Sequence, residues 1–263
     1  MSSRSTTDLA HQFYLDGVSG LEVAKGNVPK LTSYRKFGRN TAVGPTEEDI
    51  WNVGGLYTFP TAAETVRVKV GGNAADVDTT GAGARTIRVL GLDENWALAQ
   101  EDIVLAGASA SAATTTTFIR IYRAYVLTAG TYATPVNTGV ITIENTTSAV
   151  VLAAIAASLG QTEMTMFTVP ASTTMYMASS SVHSDSVQAS DVFLWQRQSA
   201  DTTSAPVTGK RLVQAYDNLT GHIQEVYDEP LVFPAKTDVW FSGAANASTA
   251  SINADYCFTL ETA

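Results

Sequence analysis

Short runs of alternating apolar and polar residues, each broken by Gly, Asn, Asp or Pro, constrain this chain more than any other feature. Thr65-Val-Arg-Val-Lys-Val70 puts Val66, Val68 and Val70 on one face and Arg67 and Lys69 on the other. Such period-two runs build half-buried strands. Arg85–Leu90 and Leu98–Leu105 repeat the pattern around a polar Gly91–Asn95 turn, which predicts a hairpin with Trp96 at its tip. Phe118–Val126 and Gly139–Ile143 complete the strands of a first half. Glu163–Val169, Thr174–Ser181, Asp191–Arg197, Lys210–Tyr216, Ile223–Tyr227, Asp238–Gly243 and Ile252–Leu260 supply a second. In the last of these, Ala254, Tyr256, Phe258 and Leu260 alternate with Asp255, Cys257 and Thr259, which puts Cys257 on the more polar face. Many short strands at regular turn spacing suit a sandwich or barrel.

One stretch departs from this rhythm. Residues 149–159 (AVVLAAIAASL) are rich in strong helix formers and end at Gly160, where a helix stop belongs. A weak echo, Tyr57-Thr-Phe-Pro60 against Phe167-Thr-Val-Pro170, opens a strand-rich stretch on either side of it. The expected architecture is therefore all-β, with two jelly-roll-like β-sandwich domains at 41–147 and 162–263. A helical junction at 148–161 joins them, and an extended basic N-terminal arm at 1–40 precedes them.

That arm is visible in the charge. The 263 residues carry a formal −9. Residues 1–40 hold six cations (Arg4, Lys25, Lys30, Arg35, Lys36, Arg39) against three anions (Asp8, Asp16, Glu22), so the remainder carries −12. Either the arm docks on an acidic surface, with Lys25, Lys30, Arg35, Lys36 and Arg39 as contacts, or its cations pair with the acidic body. An acidic body repels phosphate, so nucleic acid is a poor partner.

Chemistry is sparse. The single Cys257 excludes a disulfide framework and a cysteine zinc site. His11, His183 and His222 show no HxH or HExxH spacing, and no GxSxG elbow or P-loop is present. His183 with Asp185 reads as an exposed loop pair rather than a base. Asp76 and Asp78 offer a DxD in a Gly-rich loop and, without the rest of a calcium pattern, read as loop acids. Glu47, following Thr46, reads as the start of a helical turn. Trp51, Trp195 and Trp240 read as packing residues. Trp96, at the hairpin tip, is the tryptophan expected at the surface, where it either anchors a partner or caps the turn. No metal or cofactor is expected, and no apolar run is long enough to span a bilayer. MSSRSTTDLAHQF lacks the apolar core of a secretory signal.

The string Lys36-Phe-Gly-Arg-Asn40, followed by Val43-Gly44, Glu48-Asp-Ile-Trp51, Gly54-Gly55, Tyr57 and Pro60, resembles the opening of a group of virion structural proteins from marine tailed bacteriophages. The resemblance continues through Gly83–Thr86, Gly91–Asp93, Phe118–Ala124, Gly160–Thr162, Phe167–Pro170 and Pro230–Asp238. It implies a non-enzymatic particle component located in the virion, with other capsid or tail subunits as partners. A capsid decoration or cement protein is the first expectation, and a tail, neck or fibre component the second. A carbohydrate-active β-sandwich enzyme is a minor alternative. A homo-oligomer is expected, and a host-surface glycan stays open as a ligand.

Overall fold

The structure, a computed structural model, describes residues 19–132, 136–185 and 189–263. Arg4, Asp8, His11 and Asp16 lie outside the described residues. One short helix, α1 (Ser19–Ala24), comes first. Sixteen strands follow among the described residues, in four antiparallel sheets.

The first sheet runs in the order β1 (Leu31–Val43), β16 (Ala250–Thr262), β11 (Thr173–Ser184), β14 (Gly221–Phe233). Its partner runs β10 (Phe167–Thr168), β15 (Asp238–Ala245), β12 (Ser190–Arg197), β13 (Arg211–Leu219), and β2 (Glu48–Asp49) also pairs with β15. Residues between β2 and β10 make the other two sheets. One has the order β6 (Thr117–Phe118), β3 (Glu64–Lys69), β8 (Ile141–Asn145), β9 (Val151–Ile155). The other has the order β5 (Leu98–Val104), β4 (Ala84–Leu92), β7 (Arg120–Ala129).

Three expectations are corrected. First, the chain is not two discrete jelly-roll sandwiches but an all-β fold of four sheets whose cores share members. The core between the first two sheets holds Met175, Val182, Leu194, Phe241 and Tyr256, and also Tyr122 from β7. The core of the inserted sheets holds Val66, Val68, Ile87, Ile141 and Ile155, and also Trp240 from β15 and Met166 from the second half. Second, the segment expected as a basic arm contains a full strand. β1 pairs with β16 from Leu31↔Glu261 to Val43↔Ala250, joining an early strand to the last one. Third, the expected helix contains β9, where Ile141 faces Ile155 and Ile143 faces Ala153. Burial on the sheet and the β-branched Val151 and Ile155 outweigh the helix propensity of alanine.

The hairpin of β4 and β5 forms as expected, from Thr86↔Val104 to Leu92↔Leu98. In β16 the alternation also holds: Ala254, Tyr256, Phe258 and Leu260 are buried, and Cys257 is half-buried on the opposite face. Tyr57–Pro60 is not a strand, whereas Phe167–Thr168 is, so the two halves of the sequence echo differ in structure.

Gly38 fixes how closely β1 lies on the rest. A Cβ there would sit 2.6 Å from Ile50 O and from Thr165 N, so only glycine allows this approach. The amide of Met164 donates to Phe37 O at 3.1 Å across the same contact.

Candidate interaction surface

Ion pairs occupy two contrasting places. At the junction of the halves, Asp238 of β15 is fully buried and Arg120 of β7 nearly so. Arg120 donates from Nε to Oδ1 at 3.0 Å and from Nη2 to Oδ2 at 3.3 Å. Arg197 donates from Nη2 to Oδ2 at 2.7 Å, and the Thr168 hydroxyl donates to Oδ1 at 2.6 Å. The Arg120 guanidinium also lies 4.9 Å from the Trp96 ring centroid and 5.3 Å from that of Phe59. Phe59 continues the cluster to Trp240 at 5.1 Å and to Tyr57 at 4.8 Å. Both Asp238 oxygens are bonded and the Arg120 guanidinium lies against two rings, a condition under which a buried ion pair is tolerated. Its chemistry is spent on the fold.

This accounts for Trp96. It is 8% exposed, so the surface position expected at the hairpin tip, whether as an anchor or as a cap, is not taken, and its carbonyl accepts from Ala171 N at 2.8 Å. The five basic residues separate as well. Lys25, just past α1, pairs with Glu22 of that helix at 2.8 Å. Lys30 adopts φ 67° at the entry to β1 and borders a shallow depression with Ser172 and Ala263. Lys36, expected as a docking contact, is instead buried. Its Nζ donates to Met164 O at 2.5 Å and to Tyr122 O, and it makes no ion pair among the described residues. Burial, and then the Arg123 charge, hold its pKa well below the usual lysine range.

Arg35 and Arg39 do reach the surface, on the outer face of the first sheet. Strand register defines that face. Arg35, Cys257, Ser179 and Val226 form one row; Phe37, Asp255, Ser181 and Gln224 the next; Arg39, Asn253, His183 and His222 a third. Arg35 donates to Asp255 Oδ1 at 3.2 Å, and Arg39 donates from Nη2 and Nε to Glu163 Oε2 at 3.0 and 3.2 Å. A groove of about 460 Å³ lies between these pairs.

At the far side of the sheet, β14 is an edge strand, and β13 is the edge of the facing sheet. Ser180, Tyr216, Tyr227 and Gln214 bridge them through hydroxyl contacts of 2.7 to 3.3 Å. β14 carries Glu225, Asp228 and Glu229, with no Lys or Arg, and none of the three pairs with a cation among the described residues. Val226 (70% exposed), Val232 and Leu212 of β13 stand out beside them. Pro230 sits within β14, where an edge strand loses no ladder donor.

The remaining candidates resolve into structural roles. Asp76 is buried and accepts from the amides of Ala84 (2.9 Å), Thr138 (2.9 Å) and Gly139 (2.6 Å), clamping its loop. His183 lies on β11, not in a loop, and Asp185 accepts from Ser251 N at 2.7 Å. The Ser181 hydroxyl and His222 Nε2 are 2.8 Å apart on the open sheet, and no carboxylate is bonded to His222 among the described residues. Glu47 accepts from Ser242 Oγ at 2.8 Å and pairs with Lys210 at 3.1 Å. It starts no helical turn. Its neighbour Asp49 is buried and accepts from Tyr57 N at 2.7 Å. Burial raises its pKa from 3.8 to about 6, with the Glu47 charge adding to the rise. Among the described residues, no group of three His, Cys, Asp or Glu could hold a metal ion. No helix of the described residues is long and apolar enough to cross a membrane.

No protein-family model and no curated protein matches this sequence. Among solved structures, that of the infectious bursal disease virus Gx strain aligns at 12% identity over 88% of this chain and 72% of its own, with a TM-score of 0.26. T=1 particles derived from infectious bursal virus align at 12% identity over 89% and 74%, with a TM-score of 0.23. The VP2 subviral particle of infectious bursal disease virus aligns at 10% identity over 88% and 76%, with a TM-score of 0.22. At these TM-scores the likeness establishes no shared fold.

Proposed function

We propose that this chain is a non-enzymatic structural protein of a virion, a capsid decoration or cement protein that binds neighbouring capsid subunits. The observation that carries the reading is the paired edge of β13 and β14. Two long strands there end their sheets side by side, with exposed valines and with carboxylates that pair with no cation among the described residues. Strand edges offer unused backbone groups for association, and charge on them selects the partner. The resemblance of residues 36–260 to phage virion proteins points the same way. The partner surface would be basic; residues 31–40 of the segment expected as a basic arm belong to β1 in the body, so this reading places the contact on the acidic edge.

A tail or neck component would use the same edge, and copy number separates the two. Quantitative mass spectrometry of separated heads and tails should find the chain with the heads, at a copy number approaching that of the capsid protein. Recovery with tails at tens of copies or fewer would replace decoration by the tail reading. Absence from both fractions would overturn a structural role.

A further inference from the structure

The groove on the outer face of the first sheet has a composition that neither the fold nor edge docking needs. Its walls are two arginine–carboxylate pairs, Arg35–Asp255 and Arg39–Glu163. Between them, Phe37 and Asn253 face the same space. Each pair is only partly used. Arg39 places both of its bonds on Oε2 of Glu163, and Arg35 places one on Oδ1 of Asp255. Glu163 Oε1 and Asp255 Oδ2 therefore accept nothing among the described residues, and Arg35 is 69% exposed. Donors and acceptors thus alternate around one aromatic ring. A phosphate or a simple anion would use only the donors. Vicinal hydroxyls on a ring use both, and their C–H face covers an aromatic side chain.

The groove is also preorganised. Met164 N holds Phe37 O, and the close approach at Gly38 fixes the backbone between Phe37 and Arg39. Arg123 lies 6.0 Å from the Phe37 ring centroid, a third guanidinium beside the groove. Lys36, directly behind, is held toward its neutral form by burial. Counting Arg123, the arginines at and beside the groove outnumber its two carboxylates by one, on a chain of net charge −9.

We propose that this groove binds a short saccharide bearing a carboxylate, a uronic-acid-containing glycan segment, with Phe37 under a sugar ring, Arg35 and Arg39 on the carboxylate and hydroxyls, and Asp255 and Glu163 accepting from hydroxyls. The inference is independent of the particle location proposed above.

The test is titration of the full chain, by calorimetry or ligand-observed NMR, with an alginate tetrasaccharide, with maltotetraose and with sodium acetate. The alginate tetrasaccharide should bind saturably, and maltotetraose about tenfold more weakly. Phe37→Ala should weaken alginate binding about tenfold, while Phe37→Tyr retains it. Asp255→Asn separates the chemistries. It removes a negative charge beside Arg35, which favours acetate and the tetrasaccharide carboxylate alike, but it also removes a hydroxyl acceptor that only the saccharide uses, so the ratio of tetrasaccharide to acetate affinity should fall. As a member of a surface pair partly open to water, Asp255 can be changed without loss of the fold, which thermal unfolding verifies. No saturable binding of the tetrasaccharide, equal affinity for maltotetraose, full competition by acetate, or an unchanged tetrasaccharide-to-acetate ratio in Asp255→Asn would each overturn the proposal.

Discussion

Asp238 and Asp255 each face an arginine, and the main difference between the two pairs is water. The Asp238 carboxylate is 0% exposed and its Arg120 partner 4%, while Asp255 and Arg35 are 29% and 69% exposed. Around Asp238 both oxygens are filled by Arg120, Arg197 and Thr168, and Phe59 and Trp96 cover the Arg120 guanidinium. Around Asp255 one oxygen is left over. The same pair of side chains is thus a cross-brace in one place and a recognition surface in the other. Burial decides which, because an unpaired charge is costly only where water cannot reach it.

The largest way to break this comparison is Arg120→Ala. It strips Asp238 of a buried partner and opens a gap beneath Phe59 and Trp96, and should cost about 3–5 kcal/mol in urea unfolding. A loss below about 1 kcal/mol would mean the junction is not braced by charge. Next is Asp49→Asn. Its carboxyl is raised from 3.8 to about 6, so the folded state holds the proton more tightly than the unfolded state does. Stability is therefore lost as pH rises from about 4 to 6, and the ionised group carries a penalty of roughly 3 kcal/mol above that window. The asparagine variant should be more stable than the parent at pH 7 and equal to it below pH 4. A constant difference across that range would contradict the assignment.

A further prediction concerns Lys36. Its pKa is lowered in the folded state, so below the usual lysine value the unfolded chain binds the extra proton. The parent should gain stability as pH climbs toward 10.5, and Lys36→Met should lack that slope. Parallel pH dependences for the two proteins would show that Lys36 remains charged where it is buried.

Lys36 also shows why part of the fold was illegible in the sequence. β3, β4, β11 and β16 announce themselves because apolar residues alternate with polar ones. β1 turns Lys36, Gly38 and Asn40 inward and leaves Arg35 facing water, so its alternation is not one of hydrophobicity. A run of cations with no anion between Lys25 and Arg39 then reads as an arm. The signal that could have found it is the glycine between Phe37 and Arg39, a close-approach residue inside a strand. β9 hid for the opposite reason, since its alanines favour a helix locally and only burial between Ile141 and Ile155 selects the strand. Trp96 was misplaced because a hairpin tip is exposed unless something packs over it, and Arg120 comes from a strand more than twenty residues away. Arg35 and Arg39 were legible as surface cations, but their acidic partners Asp255 and Glu163 lie far along the chain, so the groove between them was not.

The contrast between the two pairs is tested most directly by unfolding Asp238→Asn and Asp255→Asn side by side in urea at pH 7. The buried change should cost about 3 kcal/mol or more, and the exposed one less than about 1 kcal/mol. Equal losses in the two variants would contradict the division between a charge pair that holds the body together and one left free to bind.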